Sequence, residues 1–188
     1  MPGIIAVLTM VLLIGTVLLR VMRLRRTGVE AMKFGQIDKT DFLIPPFALF
    51  YLYTIFAAAF GWPLVSRQLF FQSEIAAWVG VIFCLLGLAL LAYSLVSFGK
   101  SFRVGIDANR PDRLVTTGAF AISRNPIYVA FALVLTGQFL VFPNWILLVY
   151  LAAGVWLFNR QVLREEVFMK QHYGQEYQTY ARKVRRYL

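Results

Sequence analysis

Apolar residues along the chain gather into four stretches that contain no charge: Gly3–Leu19, Phe42–Pro63, Ile75–Gly99 and Ile127–Asn159. A helix needs about 20 apolar residues, range ~17–25, to cross the hydrocarbon core of a bilayer. The first three stretches match that length. The fourth is too long for one span: at ~1.5 Å per residue it would reach about 50 Å against a core of ~30 Å. It is interrupted by the turn-formers Pro143 and Asn144 in "VFPNW", which predicts two shorter helices, about 127–141 and 145–158, folded into a tight hairpin. The predicted class is therefore all-α: a polytopic membrane protein with five transmembrane helices. The first stretch lacks basic residues ahead of its apolar core, so it is expected to be a true span and not a signal peptide. Pro45-Pro46 sits at the edge of the second stretch, where it starts the helix or kinks it.

Composition supports the class. Hydrophobic residues make up 60% of the 188 and charged residues 15%, against ~45–50% and ~25% in soluble domains. One domain over 1–188 is expected, with three spans in 1–98. Cys84 is the single cysteine, which excludes an intramolecular disulfide, and no metal-ligand spacing is present.

Charge adds an orientation. The net charge is +10. Basic residues concentrate in three regions: 20–41; Lys100, Arg103, Arg110, Arg113 and Arg124; and the tail from Arg160 to Arg186. Between the second and third stretches only Arg67 occurs. Five spans put all three basic regions on one side, and the positive-inside rule makes that side cytoplasmic, with the N-terminus outside. No nucleic-acid partner is expected; the partners are the bilayer and whatever the cytoplasmic face binds.

Candidate chemistry lies on that face. Asn125-Pro126 reads as a helix start, with Asn as N-cap and Pro at the first position. A helix N-terminus beside Arg124 also suits a carboxylate or phosphate. Glu165 and Glu166 are an acidic pair in a basic region. They either pair locally with Arg160, Arg164 or Lys170 at helical spacing or present a carboxylate to a cation. Tyr177, Tyr180, Val184 and Leu188 recur at near-helical intervals beside Arg182, Lys183, Arg185 and Arg186. They predict a C-terminal amphipathic helix, lying either on the membrane surface or against the protein itself. The lone His172 is expected at a solvated position.

These blocks resemble a known family. "LVTTGAFAISRNPIY" is similar to the "LVTxGxYxxxRHPxY" signature of the isoprenylcysteine carboxyl methyltransferases and their phospholipid methyltransferase relatives. "EE" followed by "YGQEYQTY" resembles their second block, a Glu pair followed by "FGxEYxxY". The resemblance covers about residues 95–188. It implies a membrane enzyme that uses S-adenosyl-L-methionine, held by the 99–188 half, to methylate a lipophilic acceptor such as a prenylcysteine-like carboxylate. By position it assigns cofactor contacts to Leu114, Val115, Phe120, Asn125, Pro126, Tyr128, Glu165 and Glu166. It assigns substrate contact to Arg160 or Gln161, and makes Arg124, Asn125 and Glu165 the catalytic candidates. Phe120 stands where Tyr is usual and Asn125 where His is usual. Asn125 therefore cannot act as a base near neutral pH. A sterol-reductase-like enzyme using NADPH shares an Arg-His-Pro-x-Tyr-like block but generally has more spans, and this chain shows no clear cluster for a 2′-phosphate; a basic adaptor binding anionic lipid would account for the charge but not for the two blocks.

Overall fold

A computed structural model describes residues 1–26, 44–62, 69–99 and 114–188. The basic stretches 27–43 and 100–113 and Arg67 lie outside the described residues. The fold is that of an all-α membrane protein, and the described residues form five helices, α1 Pro2–Arg26, α2 Ile44–Ala59, α3 Glu74–Phe98, α4 Pro126–Val141 and α5 Trp145–Lys183, with one 3-10 turn at Gly118–Ala121 before α4. Among the described residues, three segments are long and apolar enough to cross a membrane, Pro2–Arg23, Glu74–Phe98 and the one that starts at Trp145; Ala48–Ala59 and Pro126–Val141 are shorter apolar helices.

The helix ends follow local chemistry. Ser73 caps α3, its Oγ accepting from the Ala76 N–H at 3.2 Å. Asn144 caps α5, its Oδ1 accepting from the Leu147 N–H at 3.0 Å. Pro45-Pro46 lies in the first turn of α2, so these prolines start that helix. The hairpin is present, with Pro143 and Asn144 at its turn, but its second arm does not stop near residue 158. α5 continues to Lys183. Charge ends its apolar part at Arg160, yet every residue from there to Tyr173 is compatible with a helix, so only the lipid-facing portion ends.

α3 and α4 pack at backbone contact. A Cβ on Gly80 would lie 2.6 Å from the Gly137 carbonyl oxygen, and one on Gly87 would lie 2.7 Å from that of Ala130. Lipid gives helices no hydrophobic reason to associate, so small residues that admit close van der Waals contact hold such pairs together. α1 completes this core through Leu13 and Val21, which pack with Leu91, Leu95, Ala130 and Val134. The buried Gln138 amide donates to the Ala6 carbonyl at 2.7 Å. These contacts hold α4 fixed, and with it the residues at its first turn.

Candidate active site

The site gathers at the end of the hairpin opposite the Pro143–Asn144 turn. Its main determinant is a break in α5. Gly174 has φ +50° and ψ −121°, a left-handed conformation that only glycine adopts without strain. Glu166 and Arg186 are 20 residues apart, which in a straight helix would mean ~30 Å. Instead the Arg186 guanidinium donates to Glu166 Oε2 from Nε at 3.0 Å and from a terminal nitrogen at 2.8 Å. The chain therefore folds back at Gly174, and the second arm lies against the first.

The returning arm settles the two alternatives for the apolar tail. Tyr177 and Tyr180 are buried with Leu114, and the Tyr180 hydroxyl donates to the Phe120 carbonyl at 2.7 Å. Tyr177, Tyr180 and Val184 of this stripe pack on the protein; the helix ends at Lys183, short of the expected amphipathic helix, and Leu188 beyond it is exposed. The Arg124 N–H then donates to the Arg185 carbonyl at 2.9 Å, and the Tyr187 hydroxyl donates to Asn159 Oδ1 at 2.7 Å.

Asn125 occupies the N-cap position of α4 with Pro126 next, but its side chain makes no cap hydrogen bond. Its amide instead donates to the Arg186 carbonyl at 3.1 Å and to Glu166 Oε1 at 3.4 Å. The expected side-chain cap is thus absent: long-range links from the Asn125 NH2 to Arg186 and Glu166 fix the side chain in an orientation in which its oxygen does not cap α4. Ser123 Oγ accepts from the Asn125 N–H at 3.1 Å, which holds the turn.

The two acids have different surroundings, and neither forms an ion pair with Arg160 or Lys170 among the described residues. Glu166 is bridged by Arg186 and, at 3.4 Å, by Arg124. Glu165 meets only neutral donors among the described residues. The Tyr128 hydroxyl donates to its Oε1 at 2.6 Å and the Gln161 amide donates to the same oxygen at 3.0 Å. The apolar part of α5 has ended at Arg160, and beyond it burial raises the Glu165 carboxyl above its usual range, more than its two hydrogen bonds lower it. At about 100° per residue, Gln161 and Glu165 share one face of α5. Leu163, Glu166, Val167 and Lys170 share the opposite face and line a groove of about 470 Å³ with the returning arm.

Aromatic rings extend the Glu165 face toward the membrane. Phe158 lies 5.8 Å, centroid to centroid, from both Tyr128 and Phe131. Of the remaining candidates, Phe120 is buried edge-on against Phe98 at 4.8 Å. Leu114 is buried in the tyrosine cluster and Val115 is half-buried beside it. Arg160 is exposed over the Trp156 ring at 5.7 Å, so Gln161, not Arg160, joins the acids. His172 is exposed and stacked on Phe168. Sequence reasoning did not single out Arg186 or Ser123 for this cluster. The available signal was the glycine in "YGQEY", which marks a possible reversal of a helix.

The pattern that defines the phospholipid methyltransferase family matches residues 75–176. The chain belongs to that family. Residues 75–176 run from the first turn of α3 through α4 to just past Gly174 in α5, so the match takes in the packed helix pair and both acids of this chain. Among curated proteins, the chain is 29% identical over 111 residues to a "Probable protein-S-isoprenylcysteine O-methyltransferase" of Oryza sativa subsp. indica, covering 57% of this chain and 58% of the relative. It is 32% identical over 108 residues to "Protein-S-isoprenylcysteine O-methyltransferase B" of Arabidopsis thaliana, covering 56% and 55%. It is 30% identical over 105 residues to the Schizosaccharomyces pombe "Protein-S-isoprenylcysteine O-methyltransferase", covering 54% and 44%. The matches thus span roughly half the length of these relatives.

Proposed function

We propose that this protein is an integral membrane methyltransferase that moves a methyl group from S-adenosyl-L-methionine to a lipophilic acceptor, with a prenylcysteine-like carboxylate as the favoured acceptor class. The observation that carries the reading is Glu165: a carboxylate whose charge no cation offsets among the described residues, at the end of a membrane hairpin, with its Oε1 held by Tyr128 and Gln161 and its Oε2 left for a ligand. Family membership and the named relatives support the reaction class.

The residues present fit a cationic cofactor. Bound there, it would supply a methyl group already activated by its sulfonium. The protein's task is then alignment and exclusion of water. Glu165 attracts and orients the positive end through a charge-assisted contact. Tyr128 and Gln161 fix the carboxylate's rotamer. Phe131 and Phe158 form an apolar wall past which a lipid-borne acceptor approaches from the membrane. Arg124 and Asn125 act by position: with Arg186 they neutralise and hold Glu166, which keeps the folded-back arm in place. A carboxylate acceptor is ionised at neutral pH and needs no base. This suits a site whose histidine position is occupied by Asn125 and whose His172 lies apart.

The proposed orientation has the N-terminus outside and the acids in the cytoplasm, from the basic regions. Residues 99–188 are proposed as the cofactor-binding half. The reading is tested by calorimetry on the detergent-solubilised protein. Binding of S-adenosyl-L-methionine without binding of NADPH is expected; binding of NADPH alone would replace this reading with the reductase one.

A further inference from the structure

We infer that the groove between the two arms of α5 binds a phosphate group, of the kind carried by an anionic lipid headgroup or by free phosphate, on the face opposite Glu165. The inference does not rest on methyl transfer. The groove has a volume of about 470 Å³ and is lined by Arg124, Lys170, Arg182 and Arg186, with Glu166 as its only acid among the described residues. Glu166 is already engaged by Arg186 and Arg124. Lys170 on one wall and Arg182 on the other are exposed, and neither takes part in an ion pair among the described residues. The groove thus keeps a surplus of positive charge after its internal bridges are made.

Its floor points to the same ligand. The Tyr177 hydroxyl, on a residue only 4% exposed, and Arg124 Nε are both buried without an acceptor. Arg124 lies beside the hydroxyl and acts on its oxygen by charge and hydrogen bonding, which leaves the hydroxyl proton and the Nε–H as donors in want of an acceptor. A buried donor left unsatisfied costs about 1–3 kcal/mol, which an acceptor-rich anion would relieve. Two unpaired cations at the mouth and two orphan donors below suit the several oxygens of a phosphate better than the two of a carboxylate. A lipid source fits the rim, where Leu163 is 41% and Val167 is 57% exposed beside the end of the apolar part of α5.

The test follows thermal unfolding of the full chain in neutral detergent and in phosphatidylcholine nanodiscs with or without phosphatidylglycerol. Inorganic phosphate is expected to raise Tm saturably over chloride at equal ionic strength, and phosphatidylglycerol to raise it over phosphatidylcholine. In Lys170→Gln/Arg182→Gln the apparent phosphate affinity is expected to fall roughly ten-fold or more. Tyr177→Phe, which keeps the ring, should weaken it less. If phosphatidylglycerol removes the response to added phosphate, the source is lipid; if the response persists, it is free phosphate. The proposal is overturned if neither anion acts beyond its control. It is also overturned if the double variant responds like wild type, or if S-adenosyl-L-methionine competes with phosphate, which would place the groove inside the cofactor's own site.

Discussion

Replacing each acid by its neutral isostere separates their roles. Glu165→Gln keeps the shape and the acceptor for Tyr128 and Gln161 but removes the charge that meets the cofactor. A charge-assisted hydrogen bond contributes about 1.5–3 kcal/mol, so affinity for S-adenosyl-L-methionine should fall roughly ten- to a hundred-fold. The same change should stabilise the ligand-free protein at neutral pH. Burial raises the folded-state pKa of Glu165, so its carboxyl contributes most when protonated. That contribution is full below the unfolded value of about 4.3 and is lost as pH rises through the raised one. The Tm advantage of Glu165→Gln should therefore be absent in acid and grow with pH. Glu166→Gln should behave oppositely. It breaks a bridge whose acid is 12% exposed and whose Arg186 side chain is 41% exposed. With screening at the exposed arginine, about 1–2 kcal/mol of stability should be lost, with a smaller effect on binding. Titration calorimetry and thermal unfolding of the three proteins from pH 4 to 8 decide this. Unimpaired binding in Glu165→Gln with abolished binding in Glu166→Gln would refute the assignment.

Other changes probe the scaffold. Gly174→Ala places a side chain at positive φ, costing about 1–2 kcal/mol; a lower Tm and faster proteolysis of the returning arm are expected, with wild-type resistance counting against the fold-back. Gly137→Ala would put a Cβ 2.5 Å from the Gly80 carbonyl oxygen, and unfolding measurements should show a loss of about 1–3 kcal/mol. Tyr128→Phe removes a 2.6 Å donor from Glu165; methyl-transfer rate should fall, and Tm should fall at neutral pH as the buried carboxylate loses one of its two hydrogen bonds. In a Cys84→Ala background, an impermeant maleimide should reach Gln178→Cys only from the cytoplasm and Gln72→Cys only from outside; labelling of both from one side would overturn the orientation.

Much of the fold could be read from the chain because lipid imposes a simple rule. Apolar length and turn residues located the starts of the described helices to within a few positions, and Asn144 caps α5 as its type suggests. Where α5 ends could not be read the same way, since charge ends a lipid-facing surface and leaves helix propensity intact. For the site, two motif blocks placed Tyr128, Gln161 and Glu165 among the candidates, and the structure brings these three together. The distinction between Glu165 and Glu166 was hidden, because adjacent acids differ only in which helix face each occupies once the chain reverses at Gly174. The same reversal brings Arg186 to Glu166 and draws the Asn125 amide away from capping, and no local spacing encodes either.

The most direct test is transfer itself. The purified protein in nanodiscs receives S-adenosyl-L-methionine labelled in its methyl group, with a farnesylated cysteine derivative as acceptor. The account predicts label in the lipophilic fraction as a methyl ester, released as methanol by alkali, and lost in Glu165→Gln at limiting cofactor. No protein-dependent label in that acceptor or in a membrane lipid extract, with NADPH consumed in its place, would contradict it.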